Sequence, residues 1–188
     1  MTLTVLDPKT ALVVIDLQKG LSAYPTNQPI AEVAERAAVL AAAFRRHGLP
    51  VVLVNAVGGA QGRTELARPP RDFPADFAEF LPVLDQQPGD HVVSKRTWGA
   101  FMNTGLDPWL KGQGVTQVVI VGVATSIGVE STARQAYEHG YNVTLAVDAM
   151  ADMSAEAHAH SISGIFPRLG ETGSTAEVVA LLDAATAA

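Results

Sequence analysis

The 188-residue sequence contains no cysteine. That absence excludes disulfides, thiolate metal sites and thiol nucleophiles together. Charge is also scarce: 17% of residues are charged and the formal net charge is −6. A balance of that sign argues against nucleic acid as a partner, because neutralising phosphates needs a basic face. Long hydrophobic runs are missing too. "ALVVIDL" and "QVVIVGVA" are far shorter than a membrane-spanning helix requires. The opening "MTLTVLDPKT" lacks the basic patch and apolar stretch of a secretory signal, so a cytoplasmic location is expected. What is present is a chain with 48% hydrophobic residues, ordinary for a globular protein and long enough to bury a core as one domain over 1–188.

Short β-branched runs alternate with helical stretches. Strands are expected over 11–17, 50–57, 90–95, 116–123 and 142–149, each apolar at consecutive positions, as strands covered on both faces are. Between the first two, Ile30, Val33, Ala34, Ala37, Ala41 and Phe44 recur at helical spacing, with Pro29 suited to the first turn and Gly48 to the end. Helix, glycine, strand recurs as "RRHGLPVVLV", "KGQGVTQVVIV" and "YEHGYNVTLAV". This punctuation marks successive α/β units, hence a mostly parallel sheet with helices on both sides. The stretch from Gly58 to Gly89, with Arg63, Arg68, Arg71 and "DFPADFAEFL", breaks the rhythm. A loop of that length is either a wall or lid over a site or a variable surface excursion. "STAEVVALLDAATAA" reads as a closing helix.

Ligands of open parallel sheets bind beyond the carboxyl ends of the strands. Those ends offer Asp16 with Gln18 and Lys19, then Asn55, then Lys95 with Trp98 and Phe101 in "SKRTWGAF", and finally "GVATSIG" opening a helix. Asp16 interrupts a very apolar strand and is expected to be partly buried, where an unpartnered carboxylate is costly. A structural ion pair with Lys95 and a functional pair are both consistent with the pattern.

"VVIDLQKG", "SKRTWGAF" and "GVATSIGVESTARQAYEHGYNVTLAVDA" together resemble the isochorismatase-like hydrolases, the cysteine hydrolase superfamily, from residue 11 to about residue 170. The resemblance implies a three-layer α/β/α, Rossmann-like fold with a six-stranded sheet, the sixth strand falling near "RLGETG". It also implies a non-proline cis peptide just before Ala124. Most members use an Asp–Lys–Cys triad, which maps onto Asp16, Lys95 and Gly128. Glycine cannot attack a carbonyl, so catalysis through a thioester is excluded. The remaining apparatus is Asp16, Lys95 and the amides around Ala124 and Gly128, where a helix start favours negative charge.

Isochorismatases proper resemble this pattern with glycine at the cysteine position, and their enol-ether hydrolysis needs a proton donor rather than a nucleophile. By that resemblance Asp16 would be the general acid. Lys95 lowers an aspartate's pKa and burial raises it, so the two oppose each other. The expected function is hydrolysis of a small, carboxylate-bearing molecule without a cysteine nucleophile, with isochorismate-type chemistry one form of it. A catalytically silent relative that binds a small acid or assembles with partners, and a water-dependent amidase, are the alternatives. Arg63 and Arg96 are candidate carboxylate anchors, and Trp98 and Phe101 candidate walls of the substrate pocket. Thr125 and Ser126 beside the missing nucleophile read as capping or loop residues, Ser126 having no evident histidine base. His158 and His160, two apart, would point apart on a helix, and no Asp-x-His element follows strand two, so neither a metal nor another cofactor is expected. A homo-oligomer, dimer or tetramer, is implied by resemblance.

Overall fold

The computed structural model describes residues 3–65 and 73–186. Six strands, β1 (Thr10–Ile15), β2 (Val51–Ala56), β3 (His91–Lys95), β4 (Gln117–Val123), β5 (Asn142–Ala151) and β6 (Glu171–Gly173), form one sheet in the order β3-β2-β1-β4-β5-β6. Every neighbouring pair is parallel, so the sheet is wholly rather than mostly parallel. The order reverses beside β1, which puts the switch point between β1 and β4.

Alternation along β1 explains why both faces are covered. Leu12 and Val14 join one core with residues of α1 (Ile30–Arg46) and α5 (Thr175–Thr186). Ala11, Val13 and Ile15 join the other, with residues of α2 (Leu106–Gly112) and α3 (Glu130–Glu138). The helical stripe Ile30, Val33, Ala34, Ala37, Ala41 and Phe44 is buried along α1, as its spacing demands. Gly48, Gly114 and Gly140 each take a left-handed conformation between a helix and the next strand. A short helix, α4 (Ala155–His160), follows β5. Among the described residues, no helix is long and apolar enough to cross a membrane.

The segment from Gly58 to Gly89 is a wall where it is described. Residues 77–81 run antiparallel to 17–20, with Lys19 N–H donating to the Glu79 carbonyl at 2.8 Å and Leu81 N–H to the Leu17 carbonyl at 3.0 Å. The buried Gln18 side chain ties this wall to β2: its amide donates to the carbonyls of Ala56 and Phe77, and its oxygen accepts Ala56 N–H at 2.7 Å. Lys19 is not a site residue but an exposed partner of Glu79 at 2.6 Å. Arg68 and Arg71 lie outside the described residues.

Gly122, near the end of β4, holds φ at +119°, and a Cβ there would collide with the Ile15 carbonyl. β1 and β4 touch there with no room for a side chain, which brings Asp16 close to the turn after β4. Gly122→Ala is expected to destabilise the fold by about 3 kcal/mol or more, since both conformation and packing forbid it. Equilibrium denaturation measures this; a loss under about 1 kcal/mol would contradict the close approach.

Candidate active site

Asp16 is the first residue past β1, and its backbone turns into the left-handed region at φ 55°. The expected strand therefore stops one residue before the carboxylate, although Asp16 N–H still donates to the Val54 carbonyl at 2.8 Å. Lys95 ends β3, two strands away, in register with Ala56 of β2. Its side chain crosses the end of β2 and its Nζ donates to Asp16 Oδ2 at 2.7 Å and to the Thr97 carbonyl at 3.2 Å. Both partners are buried, with Asp16 6% and Lys95 3% exposed.

Asp16 Oδ1 is also buried and accepts no hydrogen bond. A carboxylate with one oxygen unsatisfied is penalised by desolvation. Burial outweighs the attraction and hydrogen bond of Lys95, and the Asp16 carboxyl is pushed up to about 6. The opposition between burial and lysine is thus resolved in favour of burial.

After β4 the Val123–Ala124 peptide is cis, as the resemblance implied. The chain then winds through one wide helical turn, Thr125–Val129, directly into α3. Gly128 is buried in that turn. A Cβ on it would lie 3.0 Å from the Ile15 Cγ2 methyl, 3.2 Å from the Val123 carbonyl oxygen and 3.3 Å from Asp16 Oδ2. The turn is packed down on the end of β1, and the oxygen held by Lys95 borders the place where a side chain on Gly128 would start. A side chain there would need its neighbours to give by a few tenths of an ångström.

A cavity of about 760 Å³ opens over these groups, lined by Asp16, Lys95, Ala124 and Gly128. Trp98 lines it too, although 54% exposed, as does Phe73 from the wall segment. Four of the expected residues and Trp98 therefore share one cavity. Phe101 does not. It is buried in the core on the α3 side, its ring 5.2 Å from that of His139 and 5.9 Å from that of Tyr141. Ala100 N–H donates to Thr132 and Phe101 N–H to Gln135, both on α3, and these bonds turn the ring inward. Arg63, an expected anchor, is exposed and outside the described lining. Arg96 is exposed on the rim beside Gly58, with Nη1 2.7 Å from where a Cβ would be.

Two features of the helix entrance were not anticipated. Asp152, just past β5, is buried and accepts Ser126 N–H at 2.7 Å and the Ser126 hydroxyl at 2.8 Å. That engages the Ser126 amide, between the Ala124 and Gly128 amides expected to serve an anion, and caps the loop through Ser126. Thr125, fully buried, does have a histidine: its hydroxyl lies 2.8 Å from His158 Nδ1. Thr125 is absent from the cavity lining, so this pair braces the turn from behind. Burial lowers the His158 pKa while Asp152 pulls it the other way. The only signal available in sequence was the strand-end position of Asp152. Among the described residues, no three histidine, aspartate or glutamate side chains converge as metal ligands would.

The raised Asp16 pKa has a consequence for stability. The folded value, about 6, lies above the ordinary 3.8, so the native state holds the proton more tightly than the unfolded chain. Ionising Asp16 therefore costs stability as pH rises from about 4 to 6, by up to about 3 kcal/mol, and the cost is constant above. The unfolding free energy of the native sequence minus that of Asp16→Asn is expected to fall over this range. Paired denaturant titrations measure it, and a flat or rising difference contradicts the assignment.

Residues 10–177 match the isochorismatase domain. The chain is 41% identical over 183 residues to the uncharacterized isochorismatase family protein YwoC of Bacillus subtilis, covering 94% of this chain and 95% of that one. It is 29% identical over 174 residues to maleamate amidohydrolase of Pseudomonas putida, covering 87% and 82% of the two chains. Among solved structures, an isochorismatase family protein from Burkholderia thailandensis superposes with a TM-score of 0.91 at 40% identity, covering 95% of this chain and 98% of the other. The wholly parallel six-stranded sheet and these similarities agree: the chain belongs to the isochorismatase family of hydrolases.

Proposed function

We propose that this chain hydrolyses a small molecule with water as the nucleophile and Asp16 as the proton-transfer group, no thiol taking part. The observation that carries this is the setting of Asp16. Its Oδ2 is held by Lys95 beside Gly128, while burial raises the carboxyl to about 6. A group poised near neutrality retains a usable protonated fraction and a usable driving force for transfer.

In the favoured form Asp16 is a general acid. It gives its proton to the vinyl carbon of an enol ether, leaving an oxygen-stabilised cation. Water adds to that cation and its proton returns to the Asp16 carboxylate. The resulting hemiketal collapses to a ketone and an alcohol. Lys95 holds the carboxylate in place throughout and supports its ionised state between the two transfers. Ala124 and Gly128 supply a wall with no side chain beyond a methyl, so a substrate atom can approach Oδ2.

A second form is favoured by the similarity to a protein named maleamate amidohydrolase. Here the ionised Asp16 takes a proton from water as it attacks an amide carbonyl. The two forms require opposite protonation states of one carboxyl. The expectation of a carboxylate-bearing substrate has less support than either, because Arg63 lies outside the cavity lining and Ser126 N–H is engaged by Asp152.

Asp16→Asn is expected to lower kcat/KM by about a hundredfold or more on any substrate found, with the fold retained. A rate within about threefold of the native one would remove Asp16 from the chemistry. For the general-acid form, kcat/KM falls as pH rises through about 6, the value of Asp16. A rise through the same range identifies the carboxylate as base and selects the amidase form.

A further inference from the structure

Asp152 carries a negative charge to the entrance of the helix that presents Gly128. Asp152 is 2% exposed, and its carboxylate acts as an acceptor: Oδ2 takes Ser126 N–H and the Ser126 hydroxyl, and Oδ1 takes Ser154 N–H at 3.0 Å. Three donors thus converge on its two oxygens, an arrangement that suits a negative charge. Its main chain is fixed as well. Asp152 N–H donates to Asn27 Oδ1 at 2.8 Å, and its carbonyl accepts Asn27 N–H at 2.9 Å. Among the described residues, no lysine or arginine forms an ion pair with it.

A helix start ordinarily attracts anions through its free amides and dipole. Here that attraction is already met from within the chain. Ala124 and Ile127, on either side of the Ser126 contact, line the cavity, and Met153 beside Asp152 lines it too. A substrate carboxylate placed against that wall would face a second negative charge in poorly screened surroundings. Lys95, the cation in the lining, is committed to Asp16. Arg96 on the rim is exposed, and water screens it. Much of the remaining wall is apolar or aromatic, with Tyr24, Ile30, Phe73, Trp98 and Met153 beside the uncharged polar Thr26, Gln61 and Thr97, surfaces suited to an apolar or ring-shaped body.

We propose that Asp152 is a specificity-determining residue that makes this cavity select substrates with an apolar body and an uncharged reacting group, and turn away carboxylates. This rests on reading the cavity as the hydrolytic site, and it names the class of substrate that site takes. The reacting group would be an enol ether, releasing a ketone and an alcohol, or an amide, releasing an acid and an amine. Asp152 touches no reacting atom, and it acts through the charge it places behind the wall.

The test is calorimetric binding of cinnamamide and cinnamate, which share one apolar body and differ in charge. No turnover is needed, so the outcome is independent of whether Asp16 is the acid. The native protein is expected to bind cinnamamide tighter by about tenfold or more. Asp152→Asn keeps an oxygen for Ser126 N–H and removes the charge. It is expected to shrink the preference to about threefold or less by tightening cinnamate, with cinnamamide affinity nearly unchanged. A purely structural role would weaken both ligands in parallel, and that result, or an unchanged ratio, overturns the proposal. So does equal or tighter cinnamate binding by the native protein, or no binding of either ligand up to about 10 mM. Should the variant not fold, the native protein decides alone with cinnamamide, cinnamate and para-carboxycinnamate. Each added charge is expected to weaken binding by about fivefold or more, and a flat or reversed order overturns the proposal.

Discussion

The contact between Asp16 and Lys95 is the constraint on which the rest of this structure turns. Two charged groups are taken out of water at the edge of a sheet that is otherwise apolar. Such a pair gains little in net stability, because desolvation opposes the attraction, but removing one partner strands the other. The fold maintains it by sheet register and backbone conformation. β1 and β3 flank β2 in fixed register, and the left-handed turn at Asp16 aims its carboxylate toward the lysine. One carboxyl oxygen is satisfied and the other is not. That asymmetry sets a carboxyl that neither stays fully ionised nor fully protonated near neutrality. Stability at this point is exchanged for a carboxyl that changes protonation at about 6.

The turn beyond β4 has a matching division of labour. In front, Gly128 presents no side chain, and its main chain presses against Ile15 and Asp16. Behind, Thr125 is braced by His158 and Ser126 by Asp152. Both contacts brace the loop, and the polar groups that hold it also determine its charge. A helix entrance filled by the chain's own carboxylate is a different electrostatic object from an open one, even when the backbone path is the same.

Much of this was legible in the linear chain, and the reasons are physical. Strands covered on both faces must be apolar throughout, so "ALVVI" and "QVVIVGV" announce themselves, and a charge just past the end of one marks the sheet's carboxyl edge. Asp16 and Lys95 were readable for that reason, and Gly128 through the motif around it. What was not readable depended on partners distant in the chain. Phe101 turns inward because Thr132 and Gln135, some thirty residues on, hold its backbone. Asp152 becomes a cap only because β5 runs beside β4 and ends next to Ser126. The histidine near Thr125 comes from α4, whose placement no local pattern specifies. Arg63 carried the right chemistry for an anchor, but its segment leaves it in solvent.

The most direct examination of this account is neutron diffraction from deuterated crystals grown at about pH 5 and at about pH 8, on either side of the Asp16 transition. The expected maps keep Lys95 Nζ within hydrogen-bond distance of Asp16 Oδ2 in both, with a deuteron on the Asp16 carboxyl at the lower pH and none at the higher. An Asp16 carboxyl bare at both values, or a lysine turned away from it, would contradict a buried pair arranged to hold and release a proton.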